Sequence, residues 1–137
     1  RASRPVETNV PPPPPLNPPE TYAAARKGFQ LRQYDDAIRT YQTLLDANVN
    51  EDLANHCHYW IGESYFGKRK YAEAIKHFRM VFQFKQSVKK ADAQLMIARC
   101  YEFSRRKEEA KEAYDTFIKN YPTHNKLIAA KARREKL

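Results

Sequence analysis

Glycine is scarce in this chain, with three in 137 residues, while Ala, Lys, Glu, Arg and Leu abound. That balance argues for helices rather than strands. It also leaves no glycine loop to cradle a phosphate, and neither a nucleophile elbow nor a zinc-protease helix occurs. Apolar runs are short: none approaches the roughly 20 residues of a membrane-spanning helix. No signal peptide is visible. The chain begins Arg1-Ala2-Ser3 just ahead of a proline run, as a processed or truncated fragment would. Cysteine is limited to Cys57 and Cys100, without paired-motif spacing. Each reads as a small apolar residue at a helix–helix contact, and the pair is expected to stay unbridged. Proline is concentrated in one place, with eight of the nine within residues 1–19.

What is abundant is positive charge. The formal net charge of +9 suits anionic partners such as acidic protein segments, cell-wall polymers, lipid head groups or nucleic acid. No recognised nucleic-acid motif accompanies it. A hydrophobic content of 42% is enough for one domain with a continuous core.

That core announces itself by repetition. Ala37, Ala74 and Ala110 lie 37 and 36 residues apart. Four residues after each stand Tyr41, Phe78 and Tyr114, one helical turn on and so on the same face. Three before the first two stand Tyr34 and Tyr71, although the third has Lys107. Nine before the second and third stand Tyr65 and Tyr101, and twelve before stand Ala25, Gly62 and Ala98. Small residues between large aromatics let two antiparallel helices approach closely. The unit is clearest over His58–Phe78, two amphipathic runs joined by Gly67-Lys68-Arg69-Lys70. This pattern resembles three tetratricopeptide repeats (TPR), helical hairpins of about 34 residues, with Pro122 ending the last. The expected fold is all-α: three hairpins stacked as a right-handed superhelix, closed by a capping helix.

A narrower resemblance rests on wording. Tyr22-Ala23-Ala24-Ala25, Tyr59-Trp60-Ile61-Gly62-Glu63-Ser64-Tyr65, Ser87-Val88-Lys89-Lys90-Ala91-Asp92-Ala93 and Ile118-Lys119-Asn120-Tyr121-Pro122 are similar to the C-terminal TPR domain of the periplasmic Tol–Pal-associated cell division coordinators, the CpoB/YbgF type. The Tyr-Pro that usually closes a repeat survives only at Tyr121-Pro122. The resemblance implies a periplasmic scaffold that coordinates outer-membrane constriction with cell-wall synthesis, with TolA and cell-wall synthases as partners. A TPR lipoprotein or secretion-system assembly factor of the same envelope, and a cytosolic TPR adaptor, stay open beside it.

Residues 1–19 read as an extended, Pro-rich linker of polyproline II type. Pro11–Pro15 has the composition of a ligand for an aromatic groove, but a plain spacer suffices. The TPR domain should fill 20–137, with repeats at about 20–50, 51–86 and 87–122 and a capping helix at about 124–136. Asn17 can cap the first helix, with Pro18 at its first position and Glu20 as a capping-box acid. That helix should reach about Leu31, and its partner should span Asp35–Ala47. The second hairpin should comprise Glu51–Gly67 and Tyr71–Phe84. The third should comprise Val88–Ser104 and Lys107–Tyr121, with Ser87 as cap. Thr123 should cap the last helix, whose Leu127, Ile128 and Ala130 would cover repeat three while Lys131, Arg133, Arg134 and Lys136 face away.

No constellation for catalysis emerges, and no cofactor or metal is expected. His56-Cys57-His58 is the most tempting metal cluster, but helix neighbours two apart point in different directions, and zinc needs more ligands. Asp35-Asp36 and Glu108-Glu109 open helices, where acids suit the positive end of the dipole. What remains is surface. By repeat position, a groove lined by the first helix of each hairpin takes Tyr22, Arg26, Phe29 and Gln30, then Tyr59, Glu63 and Phe66. From the third repeat come Asp92, Leu95, Arg99, Glu102 and Phe103. Aromatics interleaved with charges suit a peptide or protein partner, since rings supply area and charges fix register. Co-chaperones that grip the acidic chaperone C-terminus use a Lys/Asn/Arg clamp in such a groove. Tyr22, Tyr59 and Glu63 stand at comparable positions here, and only Arg99 has the right charge. Finally, the turns inside the hairpins hold Arg32, then Lys68, Arg69 and Lys70, then Arg105, Arg106 and Lys107. They should line up as a basic edge for an anionic partner.

Overall fold

A computed structural model describes Asn9, Pro11, Pro12 and residues 14–137. The rest of the expected linker, and with it a full reading of the Pro11–Pro15 run as spacer or ligand, lies outside the described residues. Pro14–Asn17 is exposed and without regular structure.

Helix α1 (Pro18–Gln30) starts as its sequence dictates. The Asn17 side chain accepts the Glu20 N–H at 3.3 Å, and prolines fill the first two helical positions, where no N–H is needed. After α2 (Tyr34–Asp46), Asn50 caps α3 (Glu51–Gly67) by accepting the Leu53 N–H at 2.9 Å. Helix α4 (Tyr71–Met80) is shorter than its periodicity suggests, since the chain tightens into a 3-10 turn over Val81–Gln83. Helix α5 (Lys90–Phe103) begins two residues after the expected Val88. Ser87 is not its cap. The Ser87 hydroxyl accepts the Lys89 N–H at 3.0 Å and is also bonded by the buried Asn55 amide, so it ties the inter-repeat loop to α3. Helix α6 (Lys107–Asn120) completes the third hairpin.

The last helix, α7 (Leu127–Glu135), also starts later than its sequence suggests, and Thr123 does not cap it. His124 is held against the Phe117 ring, with centroids 5.3 Å apart, and its Nδ1 accepts the Lys126 N–H at 3.1 Å. That anchorage uses residues 122–126 as turns. Ala130 is buried against the third hairpin and Leu127 is half-buried, but Ile128 is 82% exposed and covers nothing. Arg133 and Arg134 are half-buried rather than turned fully away, and Arg134 holds Asp115 of α6 through two hydrogen bonds of 2.8 and 3.2 Å.

The three hairpin turns share one construction. Gln33 N–H bonds Gly28 C=O at 2.8 Å, Lys70 N–H bonds Tyr65 C=O at 2.9 Å, and Arg106 N–H bonds Tyr101 C=O at 2.9 Å. In each turn the preceding residue is an arginine in the left-handed region: Arg32, Arg69 and Arg105 have φ of 59°, 61° and 61°. Such Schellman closures normally use glycine, because a Cβ there costs about 1–2 kcal/mol.

Two buried clusters form the core. One holds Ala25, Ala37, Tyr41, Leu44, Cys57 and Ile61; the other runs from Tyr59 and Ala74 through Phe78, Ala98 and Tyr114 to Ala130. Trp60 and Tyr65 of α3 pack against both. Cys57 and Cys100 are free, fully buried and in different clusters. The small positions work as spacers. A Cβ placed on Gly62 would lie 2.7 Å from the Phe78 ring, so the α3–α4 contact depends on its absence.

Candidate binding groove and basic edge

Side chains of α1, α3 and α5 form two sets of contacts, one around Trp60 and one around Phe66 and Phe103. At the α1 end, Tyr22 sets its ring edge-on to His56 of α3, with centroids 6.4 Å apart. The Arg26 guanidinium lies 3.6 Å above the Trp60 ring, and Phe29 meets the same indole edge-on at 5.2 Å. From the loop before α5, Lys89 reaches over the rings of Tyr59 (4.8 Å) and Trp60 (5.4 Å). Two cations thus attend one half-buried indole, and each cation–π contact contributes about 0.5–1 kcal/mol where water has access. Gln30 is exposed.

Further along, Phe66 and Phe103, on successive hairpins, meet with centroids 5.6 Å apart, and Tyr71 stacks on Phe103 at 6.3 Å. Arg99 lies over both phenyl rings, at 5.2 and 5.7 Å, while Arg133 of α7 approaches Phe103 at 5.5 Å. Phe103 is nonetheless 44% exposed. Helix α7 is therefore more than a cap. With α5 and Tyr59 it encloses a cleft of about 460 Å³, to which it contributes Lys126, Ala129 and Arg133 beside Leu95, Met96 and Arg99.

Several expected groove residues turn out to be engaged by the fold. Tyr59 and Leu95 are each only 7% exposed and offer the cleft no more than an edge, because Tyr59 packs on Phe78 at 5.6 Å and both side chains belong to the core. Glu102 accepts the Tyr114 hydroxyl at 2.5 Å and lies 3.6 Å from Arg133, so it joins α5 to α6 and α7. Asp92 faces His124 at 3.4 Å. Glu63 sits below the surface, and its Oε1 has no hydrogen-bond partner among the described residues. Burial raises its carboxyl above the ordinary value, against the pull of the Arg99 charge. Tyr22, Arg26, Phe29, Phe66, Arg99 and Phe103 form the surface proper.

His56, Cys57 and His58 diverge. The His56 Nδ1 lies 2.7 Å from the Asp52 carbonyl, Cys57 points into the core, and His58 stacks on His77 of α4 with centroids 5.6 Å apart. Tyr65 also stacks on His77, at 5.7 Å. Burial holds both imidazoles below their ordinary pKa, that of His77 down to about 4.

At the turns, Lys68 is bonded to Asp35 of the preceding hairpin and Arg106 to Glu109 at 2.8 Å. Arg32, Arg69, Lys70, Arg105 and Lys107 are exposed and take part in no ion pair among the described residues. The basic edge is thus carried by five of the seven expected side chains.

Tetratricopeptide-repeat family models match residues 22–87 and 92–124. The chain belongs to the tetratricopeptide-repeat family. Among solved structures, the second TPR domain of human RPAP3, determined by NMR in complex with the HSP70 peptide SGPTIEEVD, superposes with a TM-score of 0.69 at 17% identity, covering 88% of this chain and 100% of that one. At that identity the likeness is one of fold. No curated protein matches the sequence. The matches are to the repeat itself, not to a Tol–Pal-associated member.

A TPR domain is a protein–protein interaction module, and the repeat explains which groove residues its sequence reveals. Repeat position locates side chains on the first helix of each hairpin, which finds Tyr22, Arg26, Phe66 and Arg99. It passes over Trp60, one residue beyond a groove position, and Lys89, which lies before its helix. Lys126, Ala129 and Arg133 belong to no repeat. Only the docking of α7 beside α5 brings them to the cleft.

Proposed function

We propose that this TPR domain is a non-catalytic scaffold that holds a segment of a partner protein along α1, α3 and α5, with α7 closing the far end. The observation that carries this reading is the pair of ring and guanidinium sets on these helices, one around Trp60 and one around Phe66 and Phe103, beside an exposed Phe103 and a cleft of about 460 Å³. Aromatic and arginine side chains of this kind dominate the energetics of protein interfaces. The finer reading is a periplasmic Tol–Pal-associated scaffold that takes TolA or a cell-wall synthase. The wording around Tyr22, Tyr59–Tyr65, Ser87–Ala93 and Ile118–Pro122 supports it. The second TPR domain of RPAP3 is in complex with the acidic HSP70 peptide SGPTIEEVD; here Tyr22, Tyr59 and Glu63 stand where a Lys/Asn/Arg clamp for an acidic peptide would, which favours a different ligand.

The test is an NMR titration of the labelled domain with TolA segments, cell-wall synthase segments and, in parallel, the acidic chaperone tail. Saturable shifts centred on Trp60, Arg99 and Phe103 with an envelope segment, lost in Arg99→Ala, are expected. Shifts confined to other surfaces would overturn the groove. Saturable binding of the chaperone tail alone would replace the envelope reading with that of a cytosolic adaptor. Fractionation of cells expressing the complete gene product checks the compartment: periplasmic recovery is expected, and cytosolic recovery would overturn it.

A further inference from the structure

At the end of the molecule opposite the hairpin turns, where α1 and α3 begin, lies an apolar groove of about 640 Å³. Pro18, Pro19 and Tyr22 of α1 border it together with Leu53 and His56 of α3. The Tyr22 ring meets His56 edge-on with centroids 6.4 Å apart. Polar groups are few. The Asn50 side-chain oxygen accepts the Leu53 N–H at 2.9 Å, which leaves its NH2 group to donate to a ligand. Asp52 is the one carboxylate, and no lysine or arginine borders the groove among the described residues. Such walls suit a ligand that is uncharged and apolar, offers carbonyl oxygens and has no N–H to leave unpaired. A proline segment in polyproline II conformation meets every one of those terms.

The chain carries one. Five successive prolines stand at Pro11–Pro15. Pro11, Pro12, Pro14 and Pro15 are exposed, and none of them borders the groove. The backbone keeps the run off its own groove. A reverse turn between Pro15 and Pro18 would have Leu16 and Asn17 at its centre, with Asn17 at a ψ near 0°. Asn17 instead has φ −105° and ψ 98°, an extended conformation. Two constraints hold it there. It caps α1 through the Glu20 N–H, and it precedes a proline, which disfavours helical backbone. The run therefore leads away from its own α1 instead of folding back over Tyr22 and His56.

We propose that the groove takes the Pro11–Pro15 run of a second copy of this chain, in a two-fold exchange in which each run fills the other copy's groove. One short stretch supplies both the ligand, Pro11–Pro15, and a groove wall, Pro18, Pro19 and Tyr22. A two-fold axis beside the start of α1 thus makes both contacts at once, as a self-complementary interface requires. Proline rings pack on Tyr22, Leu53 and His56, and a carbonyl of the run accepts from the Asn50 NH2 group. Tyr22 also borders the surface proposed above for a partner segment. The exchange does not rest on that reading, since it uses the starts of α1 and α3 and neither Trp60, Arg99 nor Phe103.

Sedimentation equilibrium of the chain between about 1 μM and 1 mM should show a reversible monomer–dimer equilibrium. The variant P11S/P12S/P13S/P14S/P15S changes only residues ahead of the first helix, so it folds like the parent. It should dimerise at least about tenfold more weakly. Added salt should strengthen the parent dimer, because the contact is uncharged and salt screens the repulsion between two chains of net charge +9. A peptide of residues 9–16, titrated into the labelled variant, should shift the NMR signals of Tyr22, Leu53 and His56. A parent that stays monomeric throughout would overturn the proposal; peptide shifts at those three residues would then assign the groove to a proline segment of another protein. An equally strong dimer in the variant would overturn it too, as would a dimer that weakens with salt. So would peptide shifts confined to Trp60, Arg99 and Phe103.

Discussion

Cys57 and Cys100 look alike in the sequence and share one fate in the fold. Burial pushes each thiol up to about 12, so neither presents a thiolate at neutral pH. Native protein should therefore resist iodoacetamide, and both cysteines should be labelled once denaturant unfolds it. Mass spectrometry of the alkylated native chain checks this, and rapid labelling of either residue would contradict its burial. The glycines are less alike. At Gly62 a methyl group would strike the Phe78 ring at 2.7 Å, whereas at Gly28 it would rest 3.8 Å from Ala37, an ordinary contact. Gly62→Ala should destabilise by about 1–3 kcal/mol through overpacking. Gly28→Ala, in the same helical context without the clash, should stabilise by about 0.5–1 kcal/mol. Urea titrations of the two variants should move in opposite directions.

Between elements, the telling contact is the imidazole stack joining α3 to α4. His58 and His77 are neutral in the folded protein because burial holds both below the ordinary value, His77 at about 4. In the unfolded chain they titrate near 6.5. Between those values the unfolded state binds more protons, so stability is greatest above about pH 6.5 and falls as the pH drops towards 4. His77→Phe keeps the ring stack and removes the titration. Its stability, followed by denaturant melts from pH 7 to pH 5, should decline less steeply than that of the parent; an unchanged slope would remove His77 from the account. Elements of this kind were legible in the chain to differing degrees. Helix α3 stands within its expected bounds because Asn50 caps it and its aromatic periodicity is unbroken. The end of α4 and the starts of α5 and α7 were not legible. Their limits coincide with the 3-10 turn at Val81, the Asn55–Ser87 bond and the anchorage of His124, packing details that helical periodicity does not carry. The turn arginines were visible as charge, but their left-handed backbone was not, since the residue expected there is glycine.

For the whole molecule, α3 decides whether three hairpins behave as one body. Repeat arrays are stabilised by nearest-neighbour interfaces and can lose cooperativity. Here Trp60 and Tyr65 pack against both core clusters, so neither cluster can open without exposing rings that the other also covers. Thermal unfolding should follow a single transition, with helicity by circular dichroism and tryptophan emission falling together. Two separated midpoints would show that the clusters melt independently. Because Trp60 is the only tryptophan, the emission has one origin. That indole touches both clusters, lies 3.6 Å beneath Arg26 and is approached by Lys89 at 5.4 Å. The domain therefore carries an unlabelled optical probe: a segment that displaces Arg26 or Lys89 alters its quenching, while one held at the turn edge leaves the spectrum unchanged.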